Sequence, residues 1–332
     1  MYRSFYDLNE RPFELTSDPR YLCLTVKHRE ALSMLRYGLM SRKGLALLIG
    51  EAGTGKTTMV RAALQEFQGQ NGSVVFLSNP TLTRAEFVEY LAVGFGMDDR
   101  AAGSKARMLM ALESLLQERQ QRGMLTALVV DEAQSLPHEL LEEIRLLANM
   151  ETATDRLLAV VLAGQPELAD RLNEGSLRQL KQRIGLRCIL DPLDLTETAA
   201  YISRRISVAG GRAQELFSRE AVEEIHRRSR GVPRTISVIC DNALISGFSL
   251  HEKPVTAHTV QEVCRDFDFA SEQSSSIGLP QVAPAPVESD HLAASTSFQQ
   301  STRRSADEGD PVAVPAPGKV SFGLFGRRFS LF

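Results

Sequence analysis

The stretch of this sequence most able to do chemistry is a glycine-rich run that ends in lysine and threonine. It reads Gly50-Glu51-Ala52-Gly53-Thr54-Gly55-Lys56-Thr57 and fits the pattern G-x-x-x-x-G-K-[ST], which binds phosphate groups. Glycines let the backbone wrap closely around a polyphosphate, with N–H groups directed inward at the start of a helix. We therefore predict a nucleotide site from Gly50 to Thr58, with Lys56 on the β- and γ-phosphates and the Thr57 hydroxyl on Mg²⁺.

The residues on either side of this run decide how it should be interpreted. An apolar segment at 45–49 precedes it and predicts a buried parallel strand, and residues 57–68 follow it and predict a helix. A glycine-rich turn before an ordinary helix is the alternative interpretation. The strand–loop–helix order is the context that a phosphate-binding loop needs, so it favours the nucleotide site.

A second pair of reactive residues follows an apolar strand near residues 125–130. Asp131 and Glu132 come directly after this strand, which is the Walker B pattern. Ligands of open α/β sheets collect at the carboxyl ends of the strands. Asp131 can bind the Mg²⁺ water shell there, and Glu132 can polarise an attacking water as general base. Asp-Glu after a strand is also a common surface turn, but its position downstream of a phosphate-binding loop favours the catalytic interpretation.

A third candidate is Gln165, which follows an apolar run at 157–163 that predicts a fourth strand. A polar side chain at this point would lie between the first and third strands, where it could touch the γ-phosphate or the attacking water. A plain turn before Pro166 is the alternative.

These residues need a sheet to bring them together, and the sequence predicts one. Apolar strands alternate with helices, which indicates an α/β fold with a five-stranded parallel sheet flanked by helices. We expect a lead-in at 1–42 that covers the nucleotide site, a P-loop core at 43–193 and an all-helical lid at 194–269. In the lead-in, Tyr21 and His28 either border the adenine or only pack against the core. A composition rich in Ser, Ala, Gln and Pro predicts a disordered tail at 270–332.

The composition argues against several classes of protein. The chain has 332 residues, of which 43% are hydrophobic, and a formal net charge of −3. The chain therefore lacks the overall positive charge that would indicate binding to nucleic acid. No apolar stretch approaches the roughly 20 residues that cross a bilayer, and the N-terminus has no apolar signal segment. We therefore expect a cytoplasmic protein without a transmembrane segment.

Further short strings complete the pattern. They are Phe5-Tyr6-x-Leu8, Pro12-Phe13, His28-Arg29-Glu30-Ala31-Leu32, Asp131-Glu132-Ala133-Gln134, Leu162–Leu168, Leu177–Leu180, Gln182-Arg183-Ile184, Gly231-Val232-Pro233-Arg234 and Cys240–Leu244. Together with the P-loop, these strings resemble those of the AAA+ ATPases. More narrowly, they resemble the general secretion pathway protein A (ExeA) family, over roughly residues 2–268.

The resemblance implies ATP hydrolysis with Mg²⁺ in a homo-oligomeric ring. It makes Gln165 the sensor 1 residue and Arg234 the sensor 2 residue on the bound nucleotide. It makes Arg183 the arginine finger for the neighbouring subunit, with Arg178 as the alternative. Full-length members of the family carry a membrane span and a periplasmic peptidoglycan-binding part. Neither is found in this sequence, so the chain is identified as a short form.

Two functions follow from the resemblance. The first is an ATPase that drives or regulates an envelope secretion or polysaccharide-export machine, in the cytoplasm or at the inner face of the membrane. The second is a nucleotide-switched DNA-binding ATPase of the transposition target-selection type. Mild acidity and the lack of an appended DNA-binding domain favour the first.

A partner of the export machine could contact residues 319–332. Phe322, Phe325, Phe329 and Phe332 have a spacing that places them on one face of a helix. A disordered end without a partner is the alternative.

Overall fold

Short aliphatic strands form the sheet at the centre of the structure. The computed structural model describes residues 2–15, 19–21, 24–42, 44–69, 71–78, 81–98 and 104–267. The predicted tail at 270–332, with its segment 319–332, lies outside the described residues. The strands are β1 (Leu45–Gly50), β2 (Gly72–Leu77), β3 (Leu125–Val130), β4 (Ala159–Gly164) and β5 (Ile184–Leu190).

The order of the strands across the sheet is β2-β3-β4-β1-β5, and all neighbouring strands are parallel. This confirms the predicted five-stranded parallel sheet. β1 lies between β4 and β5, with Ile49 opposite Gly164 and Ile189. The carboxyl ends of β1, β3 and β4 therefore meet at one end of the sheet, directly before the predicted site residues.

Two strand boundaries differ from the sequence prediction. β4 begins at Ala159 rather than Leu157, whose N–H instead donates to the carbonyl of Met150 at 2.9 Å. The sequence pattern predicts the fifth strand at 186–190, but β5 begins at Ile184, and a register shift against β1 accommodates the extra residues.

Helices cover both faces of the sheet. Those before the lid are α1 (Tyr2–Phe5), α2 (Val26–Met40), α3 (Lys56–Gly69), α4 (Arg84–Phe95), α5 (Lys105–Gln121), α6 (His138–Leu147), α7 (Pro166–Arg171) and α8 (Arg178–Gln182). Side chains alternate along β1. Leu45 and Leu47 accordingly share a core with α4, α5 and α6, and Ala46 and Leu48 share another with α2 and α3. Burial on both faces explains why β1 is apolar throughout.

Helices α6 and α7 were not among the sequence predictions. In α6, Leu140, Leu141, Ile144 and Leu147 are buried at helical spacing against the sheet. Pro166 begins α7, where its fixed φ suits the first turn and its missing N–H costs no hydrogen bond.

The chain after β5 folds into an all-helical lid, as predicted. Its helices are α9 (Leu195–Val208), α10 (Ala213–Leu216), α11 (Arg219–Ser229), α12 (Pro233–Ser249) and α13 (Ala257–Asp266). A capping box starts α9, because Asp194 and Glu197 each accept the other's backbone N–H. The apolar faces of the lid helices meet in a separate core that includes Ile202, Ile236 and Leu244.

The N-terminal lead-in is divided between the two parts of the molecule. Its first residues pack into the lid core, which contains Tyr2, Tyr6, Leu8 and Phe13. The Tyr2 hydroxyl donates to Asp241 at 2.6 Å, and the Tyr6 hydroxyl donates to the carbonyl of Glu252 at 3.1 Å. Helix α2 packs on the sheet instead, so the lead-in connects the lid to the core.

Candidate nucleotide site

The glycine-rich loop lies between β1 and α3, at the carboxyl end of the sheet. Gly53 and Gly55 have φ angles of 83° and 98°, in the left-handed region that favours glycine. A β-carbon on Gly50 would lie 2.7 Å from Thr54 Oγ1 and 2.9 Å from the carbonyl oxygen of Leu190. Glycine at these positions therefore allows the chain to turn tightly into the helix.

Lys56 begins α3 and is buried, with 4% of its surface exposed. Its Nζ donates to the carbonyl oxygens of Gly50 at 2.9 Å and Glu51 at 3.1 Å. Within the described residues, no carboxylate forms an ion pair with this ammonium. A buried ammonium bonded only to carbonyls is suited to phosphate oxygens, which would supply the missing negative charge.

Thr57 and Asp131 lie in direct contact. The Thr57 hydroxyl donates to Asp131 Oδ2 at 2.5 Å, and Asp131 is 4% exposed. Its N–H donates to the carbonyl of Leu77 at 2.9 Å, which fixes the turn after β3. A hydroxyl and a carboxylate are oxygen donors of the kind that Mg²⁺ prefers, so this pair fits the predicted metal.

Glu132 follows in a left-handed backbone, with φ 51° and ψ 38°. Two glutamine amides hold its carboxylate, since Gln134 Nε2 at 2.6 Å and Gln165 Nε2 at 3.4 Å both donate to Oε2. The structure therefore brings the predicted Glu132 and Gln165 together. It adds Gln134, whose only signal in the sequence was its place in the Asp-Glu-Ala-Gln string.

A cavity of about 310 Å³ lies between the loop and the lid, within the size range of small-molecule sites. The predicted site residues that line it are Gly53, Thr54, Gly55, Lys56, Thr57, Thr58, Glu132 and Arg234. The lead-in and the lid contribute Glu14, Tyr21, His28, Tyr201, Arg205 and Ser237. Asp131 and Gln165 reach the site through Thr57 and Glu132, and Gly50, Glu51 and Ala52 form the start of the loop outside the cavity wall.

The lid contacts the loop directly at Arg234, near the start of α12. The N–H of Arg234 donates to the carbonyl of Gly53 at 3.2 Å. A β-carbon on Gly53 would lie 2.8 Å from Cβ of Arg234 and 3.1 Å from Cγ1 of Val232. The glycine thus allows the lid to approach a segment that is predicted to bind phosphate.

Arg205 of α9 was not predicted from the sequence, and it organises one wall of the cavity. Its guanidinium donates to the carbonyls of Pro12 at 2.5 Å and Glu14 at 2.8 Å, and to the Tyr201 hydroxyl at 3.0 Å. It also lies over the ring of Tyr21, 4.6 Å from the centroid. These contacts hold the lead-in against the lid beside the cavity.

His28, at the first turn of α2, joins the lead-in to the P-loop. Its Nδ1 lies 2.8 Å from the Thr25 hydroxyl, and its ring also hydrogen-bonds to the backbone of Thr54. Burial lowers the pKa of His28, and the nearby Glu197 opposes that shift. The imidazole is consequently a neutral hydrogen-bonding group at neutral pH.

Arg178 and Arg183 lie apart from this cavity. Arg178 begins α8 and is exposed, whereas Arg183 follows the helix and is partly exposed before β5. Neither lines the cavity of its own chain. Their contact with a neighbouring subunit's nucleotide stays a prediction.

Comparison with known proteins gives matches to a family model, to a curated relative and to solved structures. Residues 39–172 match a family model described as an AAA domain. The chain is 41% identical over 250 residues to general secretion pathway protein A from Aeromonas hydrophila, an alignment that covers 75% of this chain and 45% of that protein.

Solved structures match at low identity. ORC2 from Aeropyrum pernix, in its ADPNP–ADP complexes, has a TM-score of 0.59 and 16% identity, covering 78% of this chain and 72% of its own. Cdc6p from Pyrobaculum aerophilum has a TM-score of 0.57 and 16% identity, covering 84% and 74%. At these identities, the likeness shows the fold.

The parallel sheet, the P-loop, the helical lid and the family match together define the chain as an AAA+ ATPase. Within that class, it belongs to the general secretion pathway protein A (ExeA)-like family. It spans less than half the length of the curated relative it matches. In the described part of the chain, no helix is both long enough and apolar enough to cross a membrane.

Proposed function

We propose that this ATPase hydrolyses ATP in the cavity between the P-loop and the lid, and that hydrolysis drives or regulates an envelope secretion or polysaccharide-export machine. One observation carries the catalytic part. Lys56, Thr57 and Glu132 line a single cavity at the carboxyl end of the sheet, and Asp131 is bonded to Thr57.

Each residue has a role that its position supports. The loop N–H groups and Lys56 bind the β- and γ-phosphates, while Thr57 and Asp131 hold Mg²⁺, the latter through its water shell. The metal, when bound, neutralises charge on the phosphates. Glu132 accepts a proton from the attacking water, and Gln165 contacts that water or the γ-phosphate.

The export role rests on the similarity to general secretion pathway protein A. In this proposal, the chain acts as a homo-oligomeric ring at the cytoplasmic side of the envelope, and Arg183 completes the site of the next subunit. The core at 43–193 carries the nucleotide, the lid at 194–269 reports its state, and residues 319–332 are the candidate contact to the machine.

The test replaces the gene copy in its host with Glu132→Gln. The purified variant should bind ATP normally and turn over about 10²–10⁴-fold more slowly, the usual contribution of a positioned base. The amounts of secreted protein and surface polysaccharide that the host produces should fall together with the turnover rate. Glu139→Gln is the matched control, because Glu139 is an exposed carboxylate on α6 outside the cavity.

Each contrary result removes a defined part of the proposal. Normal turnover in Glu132→Gln would show that Glu132 is not the general base. Normal export with slow turnover would remove the export role. Stimulation of wild-type turnover by duplex DNA, with a steep dependence on salt, would support the DNA-binding alternative instead.

A further inference from the structure

Gln134 uses both polar ends of its side chain in the space between β3 and β4. Its Nε2 donates to Glu132 Oε2 at 2.6 Å, and its Oε1 accepts from the N–H of Gln165 at 3.1 Å. Its own carbonyl accepts from Arg171 Nη1 at 2.5 Å, which ties the turn to α7. The residue therefore joins two strand ends and a helix around one carboxylate.

The fold leaves room for this amide. Gln134 sits in a single 3₁₀ turn, Ala133–Ser135, which Asp131 and Glu132 separate from the end of β3. Gly164 ends β4, and a β-carbon there would lie 3.0 Å from Gln134 Oε1 and 2.7 Å from Leu168 Cδ2. The absence of a side chain at Gly164 thus lets the amide reach the N–H of Gln165.

The hydrogen-bond partners also fix which way the amide faces. The N–H of Gln165 can only donate, so the amide oxygen must face it. The amide nitrogen must then face Glu132, where a carboxylate can only accept. One oxygen of Glu132 is anchored in this way, and Oε1 is left to interact with other groups. Glu132 lines the cavity, whereas Gln134 does not.

We infer that Gln134 is a positioning residue, which orients the Glu132 carboxylate toward the attacking water without touching the nucleotide. The inference rests on the proposed role of Glu132 as general base. It predicts that losing the Gln134 amide impairs the chemical step while ATP binding is retained.

The first test is Gln134→Met, which keeps the length of the side chain and removes both hydrogen bonds. We expect kcat to fall about 10- to 100-fold, as for the loss of a hydrogen bond to a charged group. KM and the affinity for a fluorescent ATP analogue should change by less than about twofold, because the interaction acts only in the transition state. Gln65→Met, on an exposed position of α3, is the matched control and should keep kcat and KM.

A second variant guards against a folding defect in the first. Gln134→Asn keeps the amide but is one methylene too short to reach both partners. We expect a folded protein with a kcat between those of wild type and Gln134→Met. A wild-type kcat in both variants would overturn the inference, and so would a higher kcat, since the amide would then restrain Glu132 rather than orient it.

A double-mutant cycle separates positioning from a general structural role. If Gln134 acts only through Glu132, adding Gln134→Met to Glu132→Gln should lower kcat no further. Losses that multiply would show a structural role and overturn the inference. Slow turnover in Glu132→Gln together with normal turnover in Gln134→Met would contradict the inference about Gln134 and leave the proposed function intact. Normal turnover in Glu132→Gln would show that Glu132 is not the general base.

Discussion

At the scale of single residues, the buried charge of Lys56 leads to a prediction that distinguishes an effect on nucleotide binding from an effect on folding. Its ammonium is buried against the carbonyls of Gly50 and Glu51. Lys56→Met keeps the apolar stem and removes a buried charge, so the free protein should melt no lower than wild type. Loss of the contact to phosphate should weaken ATP binding at least about tenfold.

Both quantities are measurable on the same samples. A fluorescent ATP analogue gives the dissociation constant, and thermal melting without nucleotide gives the stability. Lys253→Met is the control, because its ammonium pairs with Asp7 at the surface rather than with the loop. Unchanged affinity in Lys56→Met would mean that this ammonium does not contact the phosphates.

Motif spacing alone could place part of this site. A P-loop and an Asp-Glu pair require fixed positions relative to strand ends, so Lys56 and Glu132 could be predicted to converge. Arg205 could not, because its partners are carbonyls of Pro12 and Glu14, some 190 positions away in the chain. Until that contact is known, an arginine on an amphipathic helix has the pattern of a solvent-facing residue.

At the scale of elements, the start of α12 connects the lid to the P-loop. Arg234 lines the cavity and its N–H is bonded to Gly53, so the lid touches the loop through one short segment. A cation directed at the γ-phosphate stabilises the complex with ATP more than the complex with ADP, because ADP lacks that phosphate. Such a contact therefore favours the ATP-bound state of the lid. We expect Arg234→Ala to weaken ATP binding more than ADP binding.

Titration of both nucleotides into the same variant measures this difference. Arg219→Ala is the control, since Arg219 lies at an exposed position on another lid helix and pairs with Glu223. It should change neither affinity. Equal losses for ATP and ADP in Arg234→Ala would show that the arginine only supports the lid.

The helices and strands differ in how well the sequence pattern predicts them. The buried strands are apolar on both faces and could be located, whereas the boundaries of β5 depended on its register against β1. Helix α6 has buried leucines at helical spacing and was detectable from the pattern. Helix α1 was not, because four residues are too short for a periodic signal and Tyr2 and Tyr6 are held by tertiary contacts with the lid.

At the scale of the whole molecule, β5 is one of the two edge strands of the sheet. Among the described residues, β5 pairs with β1 alone, and Ile189 on it is 50% exposed. Arg183 stands directly before this strand, away from its own cavity. Ile189 and Arg183 lie toward opposite ends of this edge strand, and in the proposed ring a neighbouring subunit would cover both.

If Arg183 completes the next subunit's site, hydrolysis should require assembly. Specific activity should rise with protein concentration. Arg183→Ala should bind ATP yet lose about 10³–10⁵ in rate, the effect of a guanidinium supplied to a transferring phosphoryl group. Arg178→Ala is measured in parallel, because a larger loss there would transfer the role to Arg178. Concentration-independent turnover by a monomer, established by light scattering, would contradict the proposal.

Mixing two inactive variants tests the same idea without relying on the loss of activity. Glu132→Gln subunits retain the arginine, and Arg183→Ala subunits retain the general base. In a head-to-tail ring assembled from equal amounts, roughly a quarter of the interfaces would join an intact base to an intact arginine. Activity should therefore return on mixing, to a corresponding fraction of the wild-type rate. A mixture as inactive as its components, in rings shown to contain both variants, would mean that Arg183 does not act across a subunit interface.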